Sequence, residues 1–227
     1  MSEEFTALSS VLNARFSCRA FLLGPVPEET IQQIIRTAGQ SPSWCNAQPW
    51  KVTVTKGDET ARFAAALQGA VKTTAPAPDL PWPDGYTGAH QKRRRSCGYQ
   101  LYEAVGIARG DHAARAAQSM RNFQFFDAPH VAIIHSGAEL GPYGAMDCGG
   151  FVTAFMLAAT ALGVGTIAQA SVAAYPNLIR THFELPEDRL ILCAISFGYG
   201  DPDHPANGFR TARAELGDIY DPRGAPP

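Results

Sequence analysis

Pro42-Ser43-Trp44-Cys45-Asn46-Ala47-Gln48-Pro49-Trp50 is the most informative stretch of this chain. Proline locks its own φ, so the two prolines stiffen both ends of the segment. Between them, Ser43, Asn46 and Gln48 offer a hydroxyl and two amides, groups suited to hydrogen-bonding a heterocycle. Two tryptophans add flat apolar surface for a ring. The same residues also suit a turn pinned by a core tryptophan. That is the better reading for Trp50, beside the next element, and the poorer one for Trp44.

Working outward, Lys51–Thr55 alternates as KVTVT, a strand pattern. Upstream, Pro27 opens a helix with Glu28 and Glu29 in its favourable first turn. Ile31, Ile34, Ile35 and Ala38 recur at helical spacing and predict a buried face that ends at Gly39. A short helix is predicted over 5–14, then a polar segment, Arg15–Arg19. Helical composition returns from Gly57 to Lys72. Residues 74–88 hold four prolines and two glycines, so they read as an exposed loop or lid, with Trp82 and Tyr86 as anchors. Helices should resume near His90, break around Gly110 and reach Phe123, making 74–123 a lid-like region.

His130–His135 is a buried strand by its apolar run. Asp147–Leu162 is predicted as a helix apolar on nearly every face, hence buried. A strand over Thr166–Ala170, a helix over Ala173–Phe183 and a strand over Leu190–Phe197 follow. The extension 201–227 carries five prolines and three glycines in 27 residues and should wrap over a surface. There is no repeat and no dividing linker. The expectation is one α+β domain over 1–227, with a central mixed or antiparallel sheet of about four strands flanked by helices.

Charged residues make up 18% of the 227 and hydrophobic ones 45%. That charged share is low for a soluble domain and implies extra buried surface, such as a subunit interface or a large apolar ligand. A net charge of −2 argues against a nucleic-acid partner, because such binding rests on neutralising phosphates. The five cysteines are scattered, with no CxxC pair or Cys/His cluster, which argues against a metal site. The start, MSEEFTALSS, is no signal peptide, and Phe151–Leu162 is too short to span a bilayer. A reduced, cytoplasmic protein with no membrane partner is expected.

Three more segments could carry chemistry. In Arg15-Phe16-Ser17-Cys18-Arg19, extended backbone would turn residues 15, 17 and 19 to one side. Two guanidiniums flanking a hydroxyl make an anion site, though two solvated arginines would read the same way. In Gly163-Val164-Gly165-Thr166 the glycines permit a close approach or simply a tight turn; no dinucleotide fingerprint or phosphate-binding loop motif occurs. Arg210-Thr211-Ala212-Arg213 is again either an anion site or solvated. Lys92-Arg93-Arg94-Arg95 is the one dense basic run, a solvated helix face or a contact for a dinucleotide phosphate. His130, His135 and His182 lie in or beside apolar elements and read as core residues. Cys45 has no histidine near it in sequence and reads as packing.

Taken in order, RxSxR, PSxxNxQPW, a DxG-led helix ending in GxGT, and a late arginine pair resemble the FMN-dependent nitroreductase family over nearly the whole chain. The resemblance implies a homodimer with FMN at the interface. It further implies hydride transfer from NAD(P)H to flavin N5, and from there to nitroaromatic or quinone-like acceptors by a ping-pong mechanism. No protein side chain is then catalytic. On this resemblance Arg15, Phe16, Ser17 and Arg19 contact FMN, and Pro42, Ser43, Trp44 and Asn46 line the ring and ribityl chain. Backbone at Ala168, Gln169 and Ala170 meets flavin N5 and O4, and Arg210 and Arg213 ligate phosphate, usually in the partner's site. Trp44 stands where the family is commonly small, and Thr153 where a glutamine is frequent. Trp44, Tyr86 and Arg94 are the expected contacts to a small aromatic substrate. Two other readings stay open: a flavoenzyme of the same fold with other chemistry (reductive dehalogenation, enoate reduction, flavin breakdown), and a non-catalytic flavin-binding protein.

Overall fold

A computed structural model describes residues 1–223. Helix α1 (Glu3–Ala14) starts on Ser2, whose hydroxyl accepts from the Phe5 amide at 3.2 Å. Helix α2 (Glu28–Ala38) buries Ile31, Ile34 and Ala38, as their spacing predicts. Strand β1 (Lys51–Val54) and helix α3 (Asp58–Thr73) follow, then α4 (Gly88–Ala104) and α5 (His112–Met120). Strand β2 (His130–Gly137) is buried at every position. Helix α6 (Gly141–Ala161), strand β3 (Gly165–Gln169), helix α7 (Pro176–His182) and strand β4 (Arg189–Gly198) complete the regular elements.

The strands form one sheet in the order β1-β2-β4-β3, and all three pairings are antiparallel, so the mixed alternative drops out. Side chains alternate across a strand, and the two faces collect separate cores. Val131, Ile133, Ile167 and Ala194 face Phe63, Leu67, Phe125 and Ile179. Ala132, Ile134, Ile195 and Phe197 face Ile31, Ile34, Phe151 and Phe155. The sheet is thus sandwiched, with α2 and α6 on one side and α3 and α7 on the other.

Helix α6 departs from expectation. It starts at Gly141 rather than Asp147, because Pro142 in its first turn suits a helix start. Only the stripe Gly144, Cys148, Phe151, Phe155 and Ala159 is buried, while Tyr143 and Met146 stand exposed, so the expected all-round burial is corrected. With the turn before it, Ala138–Ala161 is by length and composition long and apolar enough to cross a membrane, a longer apolar span than the Phe151–Leu162 stretch. Here its phenylalanines pack onto the sheet: Phe151 stacks on Trp50 at 5.3 Å and Phe155 meets Phe197 at 5.6 Å.

The proline-rich loop is irregular as expected, but its anchors differ. Trp82 and Tyr86 are exposed. Asp79 holds the loop instead: its carboxylate accepts from both Arg180 Nη atoms at 2.7 and 3.1 Å and from the Ile191 amide at 2.8 Å. Helix α4, which follows the loop, buries no residue.

Candidate active site

Beyond α1 the chain runs extended, and Ser17 forms a bridge with Thr166 on the outer edge of β3, where the Cys18 amide donates to the Thr166 carbonyl at 2.9 Å. The glycines of the GxGT segment serve this approach. Gly163 turns at a φ of +74°, and a side chain on Gly165 would come within 3.2 Å of Cys18 Sγ. Cys18 is fully buried, and burial pushes its thiol up to about 11. Arg15, Phe16, Ser17 and Arg19 are left to line a cavity of about 320 Å³.

The tail closes that cavity with Phe209, Arg210, Thr211 and Arg213, and α4 adds Cys97. Asn207, which sequence reasoning missed, sets the tail's position. Its side chain accepts from the Arg19 amide at 2.7 Å and donates to the carbonyls of Ala20 and Asp201 at 2.9 and 2.8 Å. Two arginine–phenylalanine stacks interleave the segments: Arg210 over Phe16 at 3.9 Å and Arg19 over Phe209 at 5.8 Å. The tail arginines therefore join Arg15 and Arg19 of their own chain, where the resemblance placed them in a partner's site.

Four guanidiniums converge here, and among the described residues no carboxylate lines the cavity. Among the described residues, none of the four forms an ion pair. Burial lowers the pKa of both Arg15 and Arg19, and the like charge of Arg213 adds to this at Arg15. Forked donors without a counter-charge are what a phosphate monoester requires. A neighbouring cavity shares Phe16 and Arg210 with this one and reaches Gly165 and Thr166 at the β3 edge. The Thr166 carbonyl points outward to Cys18, so strand alternation directs the Ala168 backbone groups outward too. Ala168 and Ala170 are exposed and small, a shelf a flat ring can approach. Thr166 Oγ1 and Ser171 Oγ, on either side of the shelf, are buried and have no hydrogen-bond partner among the described residues. These features fit a flavin mononucleotide, phosphate on the arginines and ring toward the shelf.

The 42–50 loop lies elsewhere. Trp44–Asn46 forms a 3-10 turn, and Cys45, Asn46 and Gln48 take left-handed φ values of 51°, 55° and 48°. Non-glycine residues seldom adopt this conformation, and surrounding contacts must hold it. Ser43 Oγ accepts from the Gln48 amide at 2.9 Å, and Asp147 on α6 accepts from the Trp44 amide at 3.0 Å. Trp44 stays 62% exposed, its ring 4.6 Å from that of Tyr143. Pro42, Ser43, Trp44, Tyr143, Met146 and Asp147 line an open hollow that shares no residue with the arginine cavity. Asn46 is exposed beside it, while Trp50 packs into the core.

Tyr86 and Arg94 line neither hollow; the Arg94 guanidinium stacks over Tyr86 at 5.5 Å, and both are exposed. Thr153 is exposed on α6 and donates its hydroxyl to the Gly149 carbonyl at 3.0 Å. His130 is structural: its Nε2 accepts from the Val26 amide at 3.0 Å, and Nδ1 faces the Thr55 carbonyl at 3.1 Å. His135 and His182 likewise pair with Thr53 and Glu59.

Residues 12–199 match the sequence model of the nitroreductase family. The chain belongs to the nitroreductase family. This member is 36% identical over 211 residues to nitroreductase NfnB of Mycolicibacterium smegmatis, across 92% of this chain and 90% of that one. It is 32% identical over 213 residues to a 4-nitrobenzoate reductase of Pseudomonas putida, across 94% and 92%. Its fold is similar to the crystal structure of the FMN-dependent nitroreductase NfnB from Mycobacterium smegmatis in complex with NADPH. The TM-score is 0.93 at 34% identity, covering 98% of this nitroreductase-family chain and 100% of the other.

Proposed function

We propose that this chain is an FMN-dependent oxidoreductase that draws on NAD(P)H to reduce nitroaromatic or quinone-like acceptors, the two substrates using one site in turn. The observation that carries the reading is the convergence of Arg15, Arg19, Arg210 and Arg213 on one cavity that no carboxylate lines among the described residues. Similarity to NfnB, whose crystal structure is described as FMN-dependent and in complex with NADPH, supports both the cofactor and the donor. Similarity to a 4-nitrobenzoate reductase supports the acceptor class.

When bound, FMN supplies the redox chemistry, receiving hydride from NAD(P)H and passing it to the acceptor. The chain's own residues bind and orient. Arg15, Arg19, Arg210 and Arg213 hold the phosphate, and Ser17 adds a hydroxyl. Backbone N–H groups at Ala168–Ala170 approach the ring, with the positive pocket favouring negative charge on it. Trp44 gives an electron-poor ring a flat wall, and Tyr86 and Arg94 stand on the covering segment through which acceptors pass.

The functional unit in this reading is a homodimer. The loop with Pro42, Ser43, Trp44 and Asn46 shares no cavity with the arginines of its own chain, yet both suit the same ligand. A second copy completes the site by presenting its loop to the first copy's shelf. The exposed apolar groups Phe5, Leu8 and Leu12 on α1, and Tyr143 and Met146 on α6, suit burial in such an interface. We read the chain as one FMN-binding unit with a covering segment and a tail, working in the cytoplasm, where its five free thiols stay reduced.

The test is product analysis with NADPH and nitrobenzene. FMN-dependent consumption of both, with a reduced nitrogen product, is expected. Oxidation of NADPH without change to the nitro compound would point to other flavin chemistry and overturn the acceptor assignment.

A further inference from the structure

Gln169 ends β3 between two exposed alanines, yet is itself 3% exposed. Its amide is engaged at both ends. Nε2 donates to the Asn122 carbonyl at 2.9 Å and to Asn122 Oδ1 at 3.3 Å, while Oε1 accepts from Ser196 Oγ on β4. Asn122 lies at the far end of the covering segment, in a 3-10 turn over Arg121–Asp127. In that turn Phe125, Phe126 and Asp127 take left-handed φ values of 56°, 54° and 66°. Three such residues in succession hold only where neighbouring contacts over-determine them.

The amide therefore joins three parts of the molecule that no local sequence connects. It links the strained turn, the central strand β4 and the β3 edge that bears Ala168 and Ala170. Beyond the Ser17–Thr166 bridge, β3 has a strand neighbour on one side only. If Asn122 withdraws, the buried Nε2 loses both its acceptors, and if Ser196 withdraws, the buried Oε1 loses its donor; leaving either unmade is costly. The turn and the edge thus open together.

We infer that Gln169 is a positioning residue, fixing the flavin-facing edge and coupling it through Asn122 to the covering segment. The inference rests on the flavin reading given above. A shift of the covering segment as acceptor enters is transmitted to the backbone beside the flavin.

The experiment compares wild type with Gln169→Leu, which keeps similar bulk without hydrogen bonds, and with Gln169→Glu, which keeps the acceptor toward Ser196 but sets an oxygen against the Asn122 carbonyl. Amide hydrogen exchange in the flavin-free full-length chain should quicken about tenfold or more at 168–170 and at 122–127 together, with β2 unchanged. In the flavin-loaded protein, FMN affinity should stay within about threefold, because the phosphate contacts are intact. The visible flavin band should shift, and turnover should fall about tenfold at unchanged KM for NADPH. If Gln169→Leu does not fold, Gln169→Glu carries the same expectation. Faster exchange at only one segment, or an unchanged flavin band and turnover, would overturn the coupling. Failure of the flavin reading shows separately, as wild-type protein that binds no FMN.

Discussion

The guanidinium of Arg210 lies 3.9 Å from the ring centroid of Phe16, and its Nη1 donates to the carbonyls of Asn207 and Phe209. A tail residue is thus held face-on by a residue nearly two hundred positions earlier. Phe16, expected to touch the cofactor, also serves as the platform that aims a cation. Phe16→Ala should weaken FMN binding about three- to tenfold, since a cation–π contact is worth roughly 0.5–2 kcal/mol. In the background of Arg210→Ala the same change should have a smaller effect, limited to any contact of Phe16 itself with the cofactor. Flavin affinities from fluorescence quenching in the four variants of this cycle check both statements.

Arg19 is half-buried and Arg213 exposed, so their removal should differ. A charge-assisted hydrogen bond contributes roughly 1.5–3 kcal/mol, which predicts about ten- to a hundredfold loss of FMN affinity for Arg19→Ala. Arg213 spends part of its donor capacity on Thr211, and Arg213→Ala should fall at or below the low end of that range. Equal flavin content and affinity in both variants and wild type would remove the pair from the site.

Trp44 touches little of its own chain besides Tyr143, so its loss should leave the loop standing, held by Ser43 and by the Asp147 contact to the backbone. Trp44→Ala should keep FMN and its reduction by NAD(P)H. It should lose about three- to tenfold in kcat/KM for flat nitroaromatics, the equivalent of one stacking contact. Bulkier acceptors should lose less. A parallel fall in flavin binding and in all activities would mean that the ring supports the loop rather than the substrate.

Acid should destabilise the protein through two buried imidazoles. Burial pushes His135 down to about 4, with Arg189 and Lys51 adding to the effect, and burial also lowers His130. Both folded values lie below the unfolded one, near 6.5, so the unfolded chain binds more protons between them. Stability is full above pH 6.5 and falls as pH drops toward 4, by on the order of 3 kcal/mol for His135. His130 adds to the loss, because its Nε2 must remain unprotonated to accept from Val26. Urea midpoints from pH 7 to 4 should trace this fall, and His135→Gln should flatten it.

Elements with a strong local period were legible in the sequence. The α2 face follows from helical repeat, β1 and the arginine spacing around Ser17 from alternation, and β2 from its apolar run. The start of α6 was not, because Gly141-Pro142-Tyr143-Gly144 looks like a turn until Pro142 is seen to open a helix that buries Gly144. Contacts between distant segments were also hidden. Asp79 with Arg180, Asn207 with Arg19, and Gln169 with Asn122 leave no periodic trace, since each is a single polar pair chosen by the folded geometry. Tyr143, the neighbour of Trp44, was missed for the same reason. The separation of the 42–50 loop from the arginine cavity is a matter of topology that spacing along the chain does not encode.

Anaerobic titration of the purified, flavin-loaded protein tests the central claim most directly. Stepwise NADPH should bleach the oxidised flavin band to completion, and a nitroaromatic added afterwards should restore it. A chain that retains FMN whose spectrum NADPH leaves unchanged, or whose bleached band the nitro compound does not restore, would contradict the assignment.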